Sequence, residues 1–342
     1  MMARIKYIVM CMVAAIVALS FTSCEHKDLC YQHPHGIKLE VEFNWENAPE
    51  AAPGGMCLFF YPEDGGKPRR FDVAKDGGNV YLEVGKYNVV IYNNDSEYVR
   101  YSYSNYFDHM LYTRESGILE PIGRGRRSNG IPRPPDTSDE SVRLAPDMMW
   151  GCSAMNIEVT DFGAKYTHEV IGSDKKEPQL QIDAVDKFKF IFYPEELMCR
   201  YTYEVINLKN IEYVYEVCGL LTGMSGTYTL ATGEIGADCV SLPVEAFKDS
   251  KAQIINGEFH TFGHRPDVDK KHYMMMYFCY SDSMIYPFYW DLTDQVNNAP
   301  DPRRVHLVLD AVNVDLPDAI KNGSGFIPSV DDFNEVYEDI VM

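Results

Sequence analysis

Short runs in which apolar and polar residues alternate recur along this chain, each closed by a turn signal, and no long stretch carries a helical period. Side chains on an extended strand point alternately to two faces, so runs of this kind specify half-buried strands. Residues 37–44 show it most clearly: Ile37, Leu39, Val41 and Phe43 alternate with Lys38, Glu40, Glu42 and Asn44. Residues 56–61 form a continuous apolar run that stops at Pro62-Glu63-Asp64-Gly65-Gly66, a strand followed by a turn. Residues 70–73 end at Asp76-Gly77-Gly78, 80–84 end at Gly85, and 86–92 end at Asn93-Asn94-Asp95-Ser96. At 99–106, Tyr101 and Tyr103 alternate with Ser102 and Ser104. Strands about ten residues apart with turn signals between them predict an all-β fold, a sandwich or a barrel.

The second half repeats the pattern at 179–184, 186–192, 201–205, 212–218, 227–231, 259–262 and 304–309. Residues 273–280 and 284–290 read as a hairpin turned at Ser281-Asp282-Ser283. A helical turn is expected at 315–321 and a last strand at 330–342. With 342 residues the chain exceeds what one core of roughly 250 to 300 residues serves, so two domains are expected, 37–155 and 156–342.

The first residues constrain location. Arg4 and Lys6 precede an uncharged, largely apolar run at 7–19, and Phe21-Thr22-Ser23-Cys24 places small residues ahead of a cysteine. This is the arrangement of a lipoprotein signal, with 1–23 as the signal peptide, cleavage between Ser23 and Cys24, and acylation of Cys24. The alternative is an ordinary secretory signal with Cys24 incidental. Residues 24–36 are polar and serve as a tether. Each buried methylene of an acyl chain contributes about 0.8 kcal/mol, so two or three chains hold a protein on a membrane. No later run reaches the roughly 20 apolar residues of a membrane span, so the protein is expected to be tethered, not spanning.

The formal net charge of −20 argues against nucleic acid and against electrostatic attraction to anionic lipid. One stretch departs from it: between 115 and 141 large apolar residues are few and Arg124, Arg126, Arg127 and Arg133 form a basic loop. Such a loop contacts an acidic partner, is cut by a trypsin-like protease, or is merely solvated. Beyond Cys24 lie Cys30, Cys57, Cys152, Cys199, Cys218, Cys239 and Cys279, an odd number without CxxC spacing, several inside apolar runs. Buried free thiols follow, with neither a zinc ribbon nor a disulfide scaffold.

No HExxH, GxSxG or glycine-rich phosphate loop occurs, so no catalytic residue, metal or cofactor is assigned. His33 and His35 lack a third ligand, His260, His264 and His272 are close in sequence and could meet on neighbouring strands, where paired strands bring histidines close without ligation, and Asp267-Val268-Asp269 lacks the rest of a calcium loop. Tyr101 and Tyr103, and separately Tyr286, Phe288, Tyr289 and Trp290, are candidate rings for a glycan or a protein partner, with cross-strand packing as the alternative.

The cysteine signal, Glu42-Phe43-Asn44-Trp45, Leu58-Phe59-Phe60-Tyr61-Pro62, Gly85-Lys86-Tyr87, Tyr92-Asn93-Asn94-Asp95, Ala145-Pro146-Asp147 with Trp150-Gly151, and Val330-Asp331-Asp332-Phe333 are turn-and-core signatures spread over nearly the whole chain. In these the chain resembles a family of uncharacterised Bacteroidales lipoproteins, itself similar to the fimbrillin-like proteins and above all to anchor subunits of the minor and major fimbriae. The resemblance implies two tandem transthyretin-like β-sandwiches behind the lipidated Cys24. It also implies a place on the outer membrane, facing outward, and fimbrial subunits as partners through strand donation. The function expected is a non-catalytic fimbrial anchor or accessory adhesion subunit, with a surface glycan-binding lipoprotein as the alternative.

Overall fold

The computed structural model describes residues 36–116, 133, 134, 137, 139–166, 188–249, 253–280 and 284–318. Ser23, Cys24, the tether up to residue 35, Arg124, Arg126, Arg127, the strand expected at 179–184 and the last strand expected at 330–342 lie outside the described residues. Within them the chain is all-β, as the alternation predicts, with one 3-10 turn at Ile211–Tyr213 and one short helix at Thr293–Asn297.

Two sheets face each other in the first half. Gly36–Phe43 lies between Gly77–Glu83, antiparallel, and Lys189–Phe192, parallel. Opposite runs the order Gly163–Tyr166, Trp150–Thr160, Gly85–Asn93, Met56–Pro62, Arg69–Val73. Leu39, Val41 and Phe43 meet Met56, Leu58, Phe60, Val89 and Ile91 between the layers, so the alternating residues of 37–44 form one wall of a core. Each such side chain, fully withdrawn from water, contributes roughly 1.5 to 3 kcal/mol. The unbroken apolar run at 56–61 has its own cause. Even residues face this core, while Cys57, Phe59 and Tyr61 face a second one with Val90, Tyr92, Leu111, Met149 and Leu230. A strand buried on both faces cannot alternate.

The second half repeats the two-layer scheme. Phe247–Asp249, Ile254–Thr261, Cys199–Ile206 and Arg304–Asp310 form one sheet, and Ile285–Asp291, Tyr273–Tyr280, Val214–Ser225, Cys239–Glu245 and Ser141–Val142 the other. Tyr201, Tyr203, Leu221, Met274, Met276, Phe278, Leu307 and Leu309 fill the space between them. The hairpin expected at 273–290 is present, with Tyr273 opposite Asp291 and Cys279 opposite Ile285. Residues 315–318 carry no helix.

The boundary expected after residue 155 falls within the strand Trp150–Thr160, and Lys189–Phe192 completes a sheet of the first half. Ser141–Val142 crosses the other way, pairing parallel with Val240 and Ser241, and Met110–Thr113 pairs with Thr227–Thr229. Shared strands and a shared core therefore join the halves. Ion pairs such as Arg200–Glu258 and Lys271–Asp291 are exposed and add little, typically below about 1 kcal/mol each. The six cysteines of the described residues are free thiols, and burial pushes that of Cys57 up to about 12.

An unpaired sheet edge invites another strand, and this molecule caps part of one. In the parallel pair of Cys199–Ile206 with Arg304–Asp310, the bonds from Arg200 N–H to Arg303 C=O (2.8 Å) and from Ala311 N–H to Ile206 C=O (2.9 Å) set the frame. Odd residues of the outer strand face inward and even ones turn their backbone groups out. The Gln295 amide takes both groups of Val308, accepting from its N–H at 2.8 Å and donating to its C=O at 2.9 Å. Trp290 Nε1 donates to the Asp310 carbonyl at 2.8 Å, and Arg304 N–H donates to Asp301 C=O at 3.1 Å. Gln295→Ala is expected to cost only about 1 kcal/mol, since water replaces the amide, but to cause concentration-dependent association measurable by sedimentation velocity.

Candidate functional site

The largest aromatic cluster with an exposed face is built around His109. Strand Val99–Ser102 leads into a turn that the Asn105 side chain fixes, its Oδ1 accepting from Phe107 N–H at 2.9 Å and Asp108 N–H at 3.2 Å. The turn leaves Phe107 53 % exposed and drops His109 onto the outer face of the strands carrying Phe59, Tyr61 and Tyr92, where its exposure is 0 %. The Tyr61 hydroxyl lies 2.6 Å from His109 Nδ1 and the Tyr92 hydroxyl 3.1 Å from Nε2. A neutral imidazole has one donor and one acceptor nitrogen, so one phenol donates to the ring and the other accepts from it. Burial lowers the His109 pKa from 6.5 to about 4 and raises both phenols, which keeps the trio uncharged.

Tyr101 and Tyr103 lie over this trio. Their rings are near-parallel, 19° apart with centroids at 6.1 Å, and the His109 ring lies within 35° of both at 5.8 and 5.4 Å. Three rings at mutual distances this similar do not form a column, because the outer two would then stand about twice as far apart as neighbours. A near-parallel pair at 6.1 Å is offset, and Tyr101 and Tyr103 keep 37 % and 44 % of their surface. Arg70 fixes the outer edge: its Nη1 donates to the Tyr101 hydroxyl at 2.7 Å, its Nη2 to Asp72 Oδ1 at 2.8 Å, and Asn94 Nδ2 donates to the same oxygen at 3.1 Å. The Arg70 hydrogen bond is the main cause that holds the Asp72 carboxyl below its ordinary range.

The other candidates fare differently. Tyr286, Phe288 and Trp290 share a face that packs on the core between the sheets, whereas Tyr289, 52 % exposed, projects from the opposite face. The set expected to act together is divided by strand parity, and Tyr286 and Trp290 lie partly buried against the core. Arg133 also departs from expectation. It is not part of a solvated patch: its guanidinium donates to Glu140 C=O at 2.9 Å and to Ser241 Oγ at 2.7 Å, clamping the segment that leads into Ser141–Val142. The rings of His264 and His272 meet edge to face at 5.3 Å, and Asp267 pairs with Arg265. Among the described residues no group of three His, Cys, Asp or Glu side chains is placed to hold a metal. Nor is any helix among them long and apolar enough to cross a membrane.

His109 is the member the sequence does not reveal, because its partners arrive from strands 48 and 17 residues earlier. The signal available was the density of rings at Tyr101, Tyr103, Tyr106 and Phe107 around one histidine.

Comparison with known proteins places this geometry in context. The sequence is 23 % identical over 229 residues to a Bacteroides ovatus protein provisionally named as fimbrium anchoring subunit Fim4B, a match covering 66 % of this chain and 56 % of that protein. The chain thus spans little more than half the length of that relative. A crystal structure of a provisionally assigned adhesin from Bacteroides ovatus superposes on 87 % of this chain and 99 % of its own, with a TM-score of 0.55 and 18 % identity, which supports the common fold. The family model described as "Domain of unknown function (DUF5119)" matches residues 23–245, and the chain belongs to that family.

Proposed function

We propose that this protein is a non-catalytic lipoprotein of the outer membrane that anchors, or serves as an accessory adhesion subunit of, a surface fimbria. The observation that carries the reading is the match over 229 residues to a relative provisionally named for fimbrium anchoring. Two features agree with it. The sequence up to Cys24 has the form of a signal that ends in an acylated cysteine, which supplies the attachment an anchor needs. The described strands build packed sandwiches whose halves share strands, a body suited to bearing load between a membrane and a partner. The division into 37–155 and 156–342 and the transthyretin-like form of each part belong to this proposal, with strand exchange between 141 and 192 understood as linking the parts.

Attachment is tested in cells expressing wild type or Cys24→Ala. Wild-type protein is expected in the membrane fraction and degraded when intact cells are treated with protease. The substitution is expected to release most of it, since one acyl chain contributes about 0.8 kcal/mol per methylene and none remains. Membrane retention unchanged by Cys24→Ala, with protection from protease, would remove the lipid tether and the surface location together.

A further inference from the structure

We propose that the Tyr101–Tyr103 ledge is a binding site for a neutral polysaccharide, with Arg70, Asp72 and Asn94 as its hydrogen-bonding rim. The proposal does not depend on the fimbrial reading. Many aromatic rings of the described residues lie in cores, whereas these two lie near-parallel and more than one third exposed. They are also preorganised. His109 supports both from below, held by the hydroxyls of Tyr61 and Tyr92, and Arg70 fixes the free edge of Tyr101. Rings locked in this way lose little entropy when a ligand lands on them.

The chemistry of the surroundings selects the class of ligand. Offset rings offer apolar faces to the C–H faces of successive pyranoses, and each sugar hydroxyl both donates and accepts. The Asp72 carboxylate and the Asn94 amide beside the rings supply acceptors and donors at fixed positions, themselves linked at 3.1 Å. The Arg70 charge is already paired with Asp72 and the chain is strongly acidic, so an anionic polymer is repelled. A protein partner fits less well. A stable interface needs about 800 Å² from each side. The apolar surface here is three side chains, Tyr101, Tyr103 and Phe107, beside Ser104, Asn105 and Asp108, which bond to one another.

The test is affinity electrophoresis of the full-length chain in mild detergent through native gels containing amylopectin, mixed-linkage β-glucan, galactomannan or xyloglucan, with polygalacturonate as the anionic comparison. At least one neutral polymer is expected to retard the wild type, and polygalacturonate is not. Loss of one ring contact is worth about tenfold, so Tyr101→Ala and Tyr103→Ala should each weaken retardation by that factor. Tyr289→Ala, an exposed ring elsewhere, should leave it unchanged. Urea midpoints within a few tenths molar of wild type verify that the variants fold, and Tyr103→Ala, which leaves the Arg70 bond intact, guards against collapse of the Tyr101 variant. No retardation by any neutral polymer, retardation indifferent to both substitutions, or retardation by polygalacturonate alone overturns the proposal.

Discussion

Gly77→Ala is expected to destabilise the protein by about 4 kcal/mol, among the largest effects a single methyl group has. Gly77 opens the strand Gly77–Glu83 opposite Glu42, with φ at +120°, a region L side chains rarely enter. Strain of that kind costs roughly 1 to 3 kcal/mol. The added Cβ would also collide with the Val41 carbonyl oxygen and stand 2.8 Å from its carbon and 2.9 Å from Glu42 Cα. These are backbone atoms of a strand whose Val41 side chain is locked in the core, so they cannot swing aside, and overpacking adds roughly another 1 to 3 kcal/mol. Gly65→Ala is the matched control. It too has positive φ, +85°, but its Cβ would meet nothing within 4 Å, so a loss of about 1 kcal/mol is expected. Urea unfolding of the two variants separates backbone strain from steric collision; equal losses would refute the collision.

Acidification is expected to destabilise the protein well above the pH at which carboxylates protonate. His109 and His272 are both buried, and desolvation is the first cause lowering each pKa from 6.5 to about 4. Between those values the unfolded chain binds protons that the folded chain refuses. The stabilisation is complete above pH 6.5 and is lost as pH falls toward 4, at roughly 2 kcal/mol per histidine by pH 5. Asp72, Asp95, Glu258 and Asp291 have lowered values and act in a separate window, losing their contribution as pH falls below about 4. Urea midpoints at pH 7 and pH 5 measure the effect. Burial lowers His260 and His264 as well, so they add to the same window; His109→Gln should be less stable than wild type at pH 7 yet show a difference between the two pH values smaller by about 2 kcal/mol. A variant with the full wild-type pH dependence would show that His109 is not the source.

How far the fold was legible follows from where the partners of each residue lie. Strands with one face in water, such as Gly36–Phe43, announced themselves by alternation, and so did the hairpin of Tyr273–Tyr280 with Ile285–Asp291. Cys239–Glu245 did not, because Pro243 breaks the strand signal; it lies beyond Val240 and Ser241, the two residues that Ser141–Val142 pairs. The parallel pairings of Glu40 with Lys189 and of Arg200 with Arg304 join segments distant in sequence, and no local pattern encodes them. Helix Thr293–Asn297 has too few residues to carry a period, and its role, presenting Gln295 to an open edge, is visible only in three dimensions. In the candidate site, Tyr101 and Tyr103 were readable from their alternation with serines, while His109 was not. Tyr286 and Trp290 face the core while Tyr289 faces solvent, because Tyr289 has the opposite parity and one strand cannot turn all three to a single face.

Shearing filaments from cells carrying wild type or Cys24→Ala, and quantifying this chain and the filament subunits by mass spectrometry, tests whether the chain joins a surface filament to the membrane. Wild-type protein is expected to stay with the membrane, with filaments attached, and Cys24→Ala cells are expected to shed filaments into the medium with this chain bound to them. Filaments that remain attached to Cys24→Ala cells and carry none of this chain would contradict that role.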